Sequence, residues 1–305
     1  MERLRIGTRG SPLALWQARA VQAALAAAVP DLAAEGAIEI VVIRTTGDRV
    51  QDRTLSEIGG KGLFTKEIEE QLAGGGIDLA VHSMKDMPTL LPEGLVIDAM
   101  LPRADPRDAL VAMAPGGIEA LPSGAVVGTA SLRRQAQILH RRPDLRVVPF
   151  RGNVDTRLAK LADGQAAATV LALAGLLRLG KDAAATEVLE PDAMLPAVAQ
   201  GAIGIERRAD DERAAALLDR IADRATVTTV AAERALLAVL DGSCRTPIAA
   251  LAELDGSGNL VLRGLVATPD GSRVVTGRWS GAEADAEQLG RQGGLELRRR
   301  AEFLA

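Results

Sequence analysis

The stretch AVVGTASLRRQAQILHRR, Ala125–Arg142, changes period half-way along. Ala125–Gly128 is a short apolar run of strand type. Thr129 and Ser131 then supply hydroxyls suited to capping a helix, and the residues after them keep a helical pattern. A strand that runs through a cap into a helix is half of a βαβ unit. The pattern recurs at once. LRVVPFRGNVDTRLAKLADG, Leu145–Gly164, reads as strand, Gly-Asn turn and helix, and AAATVLALAGLLRLG, Ala166–Gly180, does so again. Repeated strand–helix alternation predicts an α/β fold with mainly parallel sheets.

Upstream, the same alternation holds. LRIG (Leu4–Gly7) is a short strand. SPLALWQARAVQAALAAAV is a helix with Ser11 as N-cap, Pro12 at its first position and Pro30 ending it. Ile38–Gly47 is β-branched and strand-like, and Ile77–Met84 is a strand running into a polar loop. The last third differs. Thr228–Gly242 reads as a helix closed by Gly242. LAELDGSGNLVLRGLVATPDGSRVVTGRW, Leu251–Trp279, is strand runs broken by Asp-Gly turns, and a final helix covers about 283–304. Hairpin signals of this kind predict an α+β region with an antiparallel sheet.

Composition narrows the function. Hydrophobic residues are 48% of 305 and aromatics 2%, so the cores are built from Leu, Val, Ile and Ala. A net charge of −4 does not suggest a nucleic-acid binder. The apolar runs are far shorter than the roughly 20 residues of a membrane span. No signal peptide is read at the N-terminus, and a single cysteine, which excludes an intrachain disulfide, fits a reducing compartment. A soluble cytoplasmic protein is expected.

In open α/β sheets, ligands sit beyond the carboxyl ends of the strands. Arg9, Ser11, Lys85, Ser131, Arg133, Arg134 and Arg151 all fall there. One Arg-Arg pair is usually a solvated face. Several cationic helix starts, at SLRRQ, RGNVDTR and TRGS, point instead to a polyanionic ligand. VHSMKDMP, Val81–Pro88, sets Lys85 and Asp86 just past a strand end, which is either a solvated turn or a carboxylate aimed into a cleft beside a cation. IGGKGLF, Ile58–Phe64, lacks the spacing of a P-loop and reads as a flap. No GxGxxG follows a strand, and no His/Cys cluster offers a metal site. Cys244, in LDGSCRTPIAA, is either an inert small hydrophobe or a thiolate activated by Arg245. A thiol hydrolase would need a histidine partner, and only His82 and His140 exist.

The ordered series TRGSPLALWQA, GGKGLFTKE, AVHSMKDMP, GTASLRRQ, RGNVDTRL, LPAVAQGAIGIE and DGSCRTPIAA resembles the porphobilinogen deaminase (hydroxymethylbilane synthase) family over nearly the whole chain. The resemblance implies two domains like type II periplasmic binding proteins and a third, α+β domain. Domain 1 would be 1–101 plus 200–219, domain 2 105–196 and domain 3 224–305, with LPAVAQGAIGIERR as the return to domain 1. It further implies a dipyrromethane cofactor held to Cys244 by a thioether. Four porphobilinogen units would be deaminated, coupled to that primer and released by hydrolysis as hydroxymethylbilane. Asp86 would be the catalytic carboxylate, assisting loss of ammonia, stabilising the azafulvenium cation and managing the pyrrole proton. Arg9, Ser11, Lys85, Thr129, Ser131, Arg133, Arg134, Arg151, Arg157 and Arg178 would bind acetate and propionate groups. Lys61 and Phe64 would sit on a mobile loop over the cleft. No metal, nucleic acid or membrane is implied, and a monomer is expected. Glu57 stands where some members carry lysine, so no cationic role passes to it. A non-catalytic polycarboxylate or phosphate binder would explain the arginines but not Cys244 and Asp86 together.

Overall fold

The computed structural model describes residues 3–46, 65–114, 116–240 and 246–304. Lys61, Phe64, Glu57, Gly242, Cys244 and the flap expected at 58–64 lie wholly outside these residues. In chain order the first elements are β1 (Leu4–Arg9), α1 (Pro12–Ala28), β2 (Ile38–Ile43), α2 (Lys66–Ala73), β3 (Leu79–Ser83) and β4 (Leu95–Met100). There follow β5 (Asp108–Ala112), β6 (Val126–Gly128), α3 (Leu132–Arg141), β7 (Arg146–Val148), α4 (Val154–Ala162), β8 (Ala168–Ala172), α5 (Leu173–Arg178) and β9 (Glu187–Leu189). Then come β10 (Ile203–Arg208), α6 (Glu212–Leu218), α7 (Arg224–Val239), β11 (Ile248–Leu254), β12 (Asn259–Ala267), β13 (Val274–Ala282) and α8 (Ala286–Arg300).

Helices begin where capping chemistry allows. Ser11 Oγ accepts from Ala14 N (3.3 Å) with Pro12 in the first turn, Ser131 Oγ accepts from Arg134 N (3.4 Å), and Asn153 Oδ1 accepts from Thr156 N (2.9 Å). Each cap satisfies an N–H that the helix itself leaves without a partner. The final helix is shorter than expected, with single 3₁₀ turns at Glu283–Asp285 and Glu302–Leu304 flanking it.

The chain divides into two compact units: Met1–Ala104 with Ala202–Val227, and Asp105–Gly201 with Thr228–Ala305. The first unit holds one five-stranded sheet, ordered β2-β1-β3-β10-β4. β1 pairs parallel with β2 and β3, whereas β10 pairs antiparallel with β3 and β4. One face packs on α1 and α6 through Ala18, Val21, Leu25, Leu217 and Leu218, the other on α2 through Ile68 and Leu72.

The second unit holds a five-stranded sheet ordered β7-β6-β8-β5-β9 and the three-stranded β11-β12-β13. Its larger sheet repeats the first unit's plan: two parallel pairs made by β6, then antiparallel pairs of β5 with β8 and β9. Both sheets are thus mixed. A strand arriving by a long return needs no crossover helix and can insert antiparallel. In both sheets the fourth position is taken by a strand running antiparallel to the third, β10 in the first and β5 in the second. The small sheet is fully antiparallel. α8 covers it and lies close against α7, because Gly290 and Gly294 leave room: a Cβ there would stand 2.1 Å from Ala232 O and 2.8 Å from Leu236 O.

Candidate active site

β3 decides where Asp86 stands. Leu79–Val81 are buried sheet residues, and β3 is followed at once by a 3₁₀ turn, Met84–Asp86, closed by Met87 N donating to Met84 O (3.2 Å). Met84 N donates to Ala202 O (3.1 Å), just ahead of β10, so the turn is tied to the sheet. Met84 is buried, while Lys85 and Asp86 are exposed. A small cavity of about 80 Å³ lies here, lined by Arg9, Ser11, Gln17, His82, Ser83 and Asp86 among others. Gln17 and Ser83 hold each other across it, Nε2 donating to Oγ at 2.8 Å. The first unit therefore brings Arg9, Ser11 and Asp86 to one cavity and leaves Lys85 on the adjoining surface.

In the second unit the candidate cations gather at the starts of α3 and α4. Thr129 is buried and its Oγ1 accepts from Ser131 N (3.2 Å). Arg133 and Arg134 are turned inward, only 6% and 5% exposed. Arg133 Nη1 and Arg134 Nη2 each lie 2.7 Å from an oxygen of Asp108, and Gln200 Nε2 donates to the same carboxylate (2.9 Å). Backbone carbonyls take further donors, Leu195 O from Arg133 and Val170 O from Arg134. Burial raises the carboxyl of Asp108, but the two guanidiniums outweigh it and hold Asp108 well below the usual carboxylate range. The cluster of two cations and one anion keeps one net positive charge. Arg133 Nε is buried and has no hydrogen-bond partner among the described residues.

Gly152, at φ +112°, sets the RGN turn, where a Cβ would meet Thr156 at 2.6 Å. Arg151 and Arg157 flank it, half-buried, and Arg157 Nε donates to Gly152 O (2.9 Å). Arg178, at the end of α5, donates to Gly201 O (2.6 Å), and burial pulls its guanidinium down to about 10. A desolvated guanidinium gains from an anion that restores its hydrogen bonds.

Two family models match the chain, "Porphobilinogen deaminase, dipyromethane cofactor binding domain" over residues 4–216 and "Porphobilinogen deaminase, C-terminal domain" over 227–299. The chain belongs to the porphobilinogen deaminase family. Porphobilinogen deaminase of Paracoccus denitrificans (strain Pd 1222) is 61% identical over 298 residues, covering 98% of this chain and 94% of that one. The chloroplastic porphobilinogen deaminases of Oryza sativa subsp. japonica and Pisum sativum are 55% and 53% identical, each covering 98% of this chain and 84% and 82% of theirs. The family's cofactor is a dipyrromethane. The donors described here fit a carboxylate-bearing group of that kind: hydroxyls at a helix start, a guanidinium pair with net positive charge, and the buried Nε–H of Arg133.

Three groups at or behind these sites carry no signal in the sequence motifs. Asp108 opens β5, 25 residues ahead of its arginines. Glu206 and Glu69 are buried behind the cavity of Asp86, Glu206 within 3.0 Å of His82 Nε2. Nothing local marks them. Asp108 and Glu206 are single acidic residues in otherwise ordinary strands, Glu69 is one of three glutamates in its helix, and only the fold supplies their partners.

Proposed function

We propose that this chain uses Asp86 as its catalytic carboxylate, in the cavity it shares with Arg9 and Ser11. The activity is a transferase reaction of tetrapyrrole biosynthesis: four porphobilinogen units lose ammonia, are coupled head to tail, and leave as hydroxymethylbilane after hydrolysis. Bound through Cys244, the dipyrromethane supplies the pyrrole carbon onto which the first unit is coupled. The chain's own residues do the rest. Asp86 stands against the positive charge that develops as ammonia leaves, and takes the proton lost from the pyrrole α-carbon. A fixed carboxylate beside a forming cation lowers the barrier because it needs no reorganisation when the charge appears. Arg9, Ser11, Lys85, Thr129, Ser131, Arg133, Arg134, Arg151, Arg157 and Arg178 bind the acetate and propionate groups. Lys61 and Phe64 belong to the covering loop.

The observation that carries this reading is the placement of Asp86: exposed, on a turn tied to both β3 and the residue before β10, in a cavity it shares with Arg9. We further assign three domains, 1–101 with 200–219, 105–196, and 224–305, the second unit containing the second and all of the third but residues 224–227. A cytoplasmic monomer is the proposed state. Among the described residues, no helix is long and apolar enough to cross a membrane.

The test pairs two variants read by intact mass and by porphobilinogen consumption. Asp86→Asn keeps shape and removes the charge and proton-accepting site. It is expected to retain the cofactor mass and lose at least about 10²-fold in turnover. Cys244→Ser is expected to carry no covalent cofactor, since a hydroxyl is a far poorer nucleophile than a thiolate. Near-normal turnover in the first, or full cofactor mass in the second, refutes the corresponding assignment.

A further inference from the structure

Behind the cavity of Asp86 lies a buried acid–base cluster that the mechanism above does not use. His82 and Glu206 sit on neighbouring antiparallel strands. Gly204 is directly opposite His82, and Glu206 is opposite Ala80, so the two side chains are diagonal neighbours on one face. His82 Nε2 lies 3.0 Å from Glu206 Oε2, with the imidazole 5% and the carboxylate 0% exposed. α2 packs on the same face through Ile68 and Leu72 against Ala80, and brings Glu69, which is also buried. Glu206 Oε1 and Glu69 Oε1 are both buried without a hydrogen-bond partner among the described residues. Burial first, and the neighbouring Glu206 next, raise the Glu69 carboxyl above its ordinary value.

Three ionisable groups in a dry space are costly, and a fold that needs only packing would fill it with leucine. The cluster also touches the working cavity, because His82 lines it together with Asp86, Ser11 and Arg9. A carboxylate can only accept, so the ring nitrogen facing Glu206 carries hydrogen when Glu206 is ionised. That fixes the ring's orientation and leaves Nδ1 as its other polar atom.

We propose that His82 is a positioning residue for the reaction at Asp86, its ring fixed by Glu206 so that its protonation sets the charge facing Asp86 across the cavity wall. The proposal rests on Asp86 being the reacting carboxylate. Among the described residues, the charged groups that face His82 are Glu206 from β10, Glu69 from α2, Asp86 beyond β3 and Arg9 at the end of β1. α1 adds the uncharged Gln17 and Ser11. When the imidazole takes up a proton, one positive charge appears in a wall where the reaction also builds positive charge. The neutral ring leaves Asp86 to meet that charge alone.

The experiment uses the cofactor-bearing enzyme and follows porphobilinogen consumption against pH for wild type, His82→Gln, Glu206→Gln and Asp86→Asn. Glutamine places an amide N–H near the position of Nε2, so the bond to Glu206 is kept and the titration removed. His82→Gln, permanently neutral with the bond to Glu206 kept, is expected to keep its cofactor by intact mass, to hold kcat within about twofold of wild type on the alkaline side of the profile, and to lose the wild-type fall in kcat on the acid side. KM should stay within about twofold. One ionisation should vanish from its pH profile, and Glu206→Gln should shift that same ionisation. A second readout needs no variant at position 82. The chain has two histidines, so His140→Gln assigns both imidazole NMR signals, and the His82 signal of the wild type should move when porphobilinogen is added. A His82→Gln profile that superimposes on wild type overturns the proposal. If that variant does not accumulate as folded protein, a His82 signal unmoved by porphobilinogen overturns it instead. Loss of turnover in Asp86→Asn with an unchanged His82→Gln pH profile refutes the role of His82 alone, whereas normal turnover in Asp86→Asn refutes the reading beneath it.

Discussion

Removing Asp108 tests whether the arginine pair of α3 is held by one carboxylate. Asp108 is fully buried, and both guanidiniums are more than nine-tenths buried. In Asp108→Ala, two cations remain in a dry site without this carboxylate between them, and Gln200 Nε2 loses one acceptor. Breaking a buried ion pair by deleting one partner costs about 3–5 kcal/mol, most of it from the charge left behind. At about 2–4 °C per kcal/mol for a domain of about 150–250 residues, Tm should fall by roughly 6–20 °C. Asp108→Asn, which keeps an acceptor oxygen, should fall less. The assay is thermal unfolding by circular dichroism, run at neutral and acid pH. The sign of the pH effect follows from the lowered carboxyl of Asp108. Its contribution is complete above its unfolded value, about 3.9, and is lost as pH falls from there toward the folded value. The gap between wild type and Asp108→Ala should therefore narrow below about pH 4. A Tm change under about 2 °C at neutral pH, less than about 1 kcal/mol, would refute the reasoning. So would a gap that stays constant on acidification.

Two further outcomes are expected. A Cβ at Gly204 would stand 2.0 Å from Met84 Sδ and 2.9 Å from its Cγ. Gly204→Ala should push the Met84–Asp86 turn and lower kcat by about 10²-fold, as a roughly 1 Å misplacement does, while cofactor mass is retained. An unchanged kcat would show that the turn does not depend on this contact. Ala199 holds φ 58°, and is the non-glycine residue at positive φ among those described. Ala199→Gly should raise stability by about 1 kcal/mol by relieving that strain, checked by denaturant midpoint, and a lower midpoint would count against the strain.

Much of this molecule is legible in its sequence because capping and turn chemistry are local. Ser11 with Pro12, Ser131 and Asn153 mark the starts of α1, α3 and α4 within a residue, and the Asp-Gly turns mark the hairpins of the third sheet. β4, β5 and β10 give weaker signals. LVIDAM, DALVA and IGIERR are five or six residues long and become strands through partners far away in the chain. The parallel expectation fits the βα repeats, but β5 and β10 insert antiparallel and make each large sheet mixed. At the candidate site, SLRRQ reads as two cations offered to a ligand. The structure adds what the motif lacks, the carboxylate of Asp108 between them. His82 likewise reads as part of a strand, and only the register with β10 shows what its ring faces.

The strand order of the first unit bears on how the chain is made. β10 lies between β3 and β4 in the sheet but follows them by about a hundred residues in the chain. At a synthesis rate of about 5–20 residues per second, the ribosome needs roughly 5–20 s to deliver it. Throughout that interval β3 and β4 are nascent strands with open edges, the kind of surface that pairs with the wrong neighbour. The seat of Asp86 is unfinished for the same time, since its turn hangs on Ala202 and its wall on Glu206. The second unit's large sheet has no such wait, because β5–β9 are contiguous in the chain. A chaperone that shields exposed strand edges during translation would therefore act on residues 79–100.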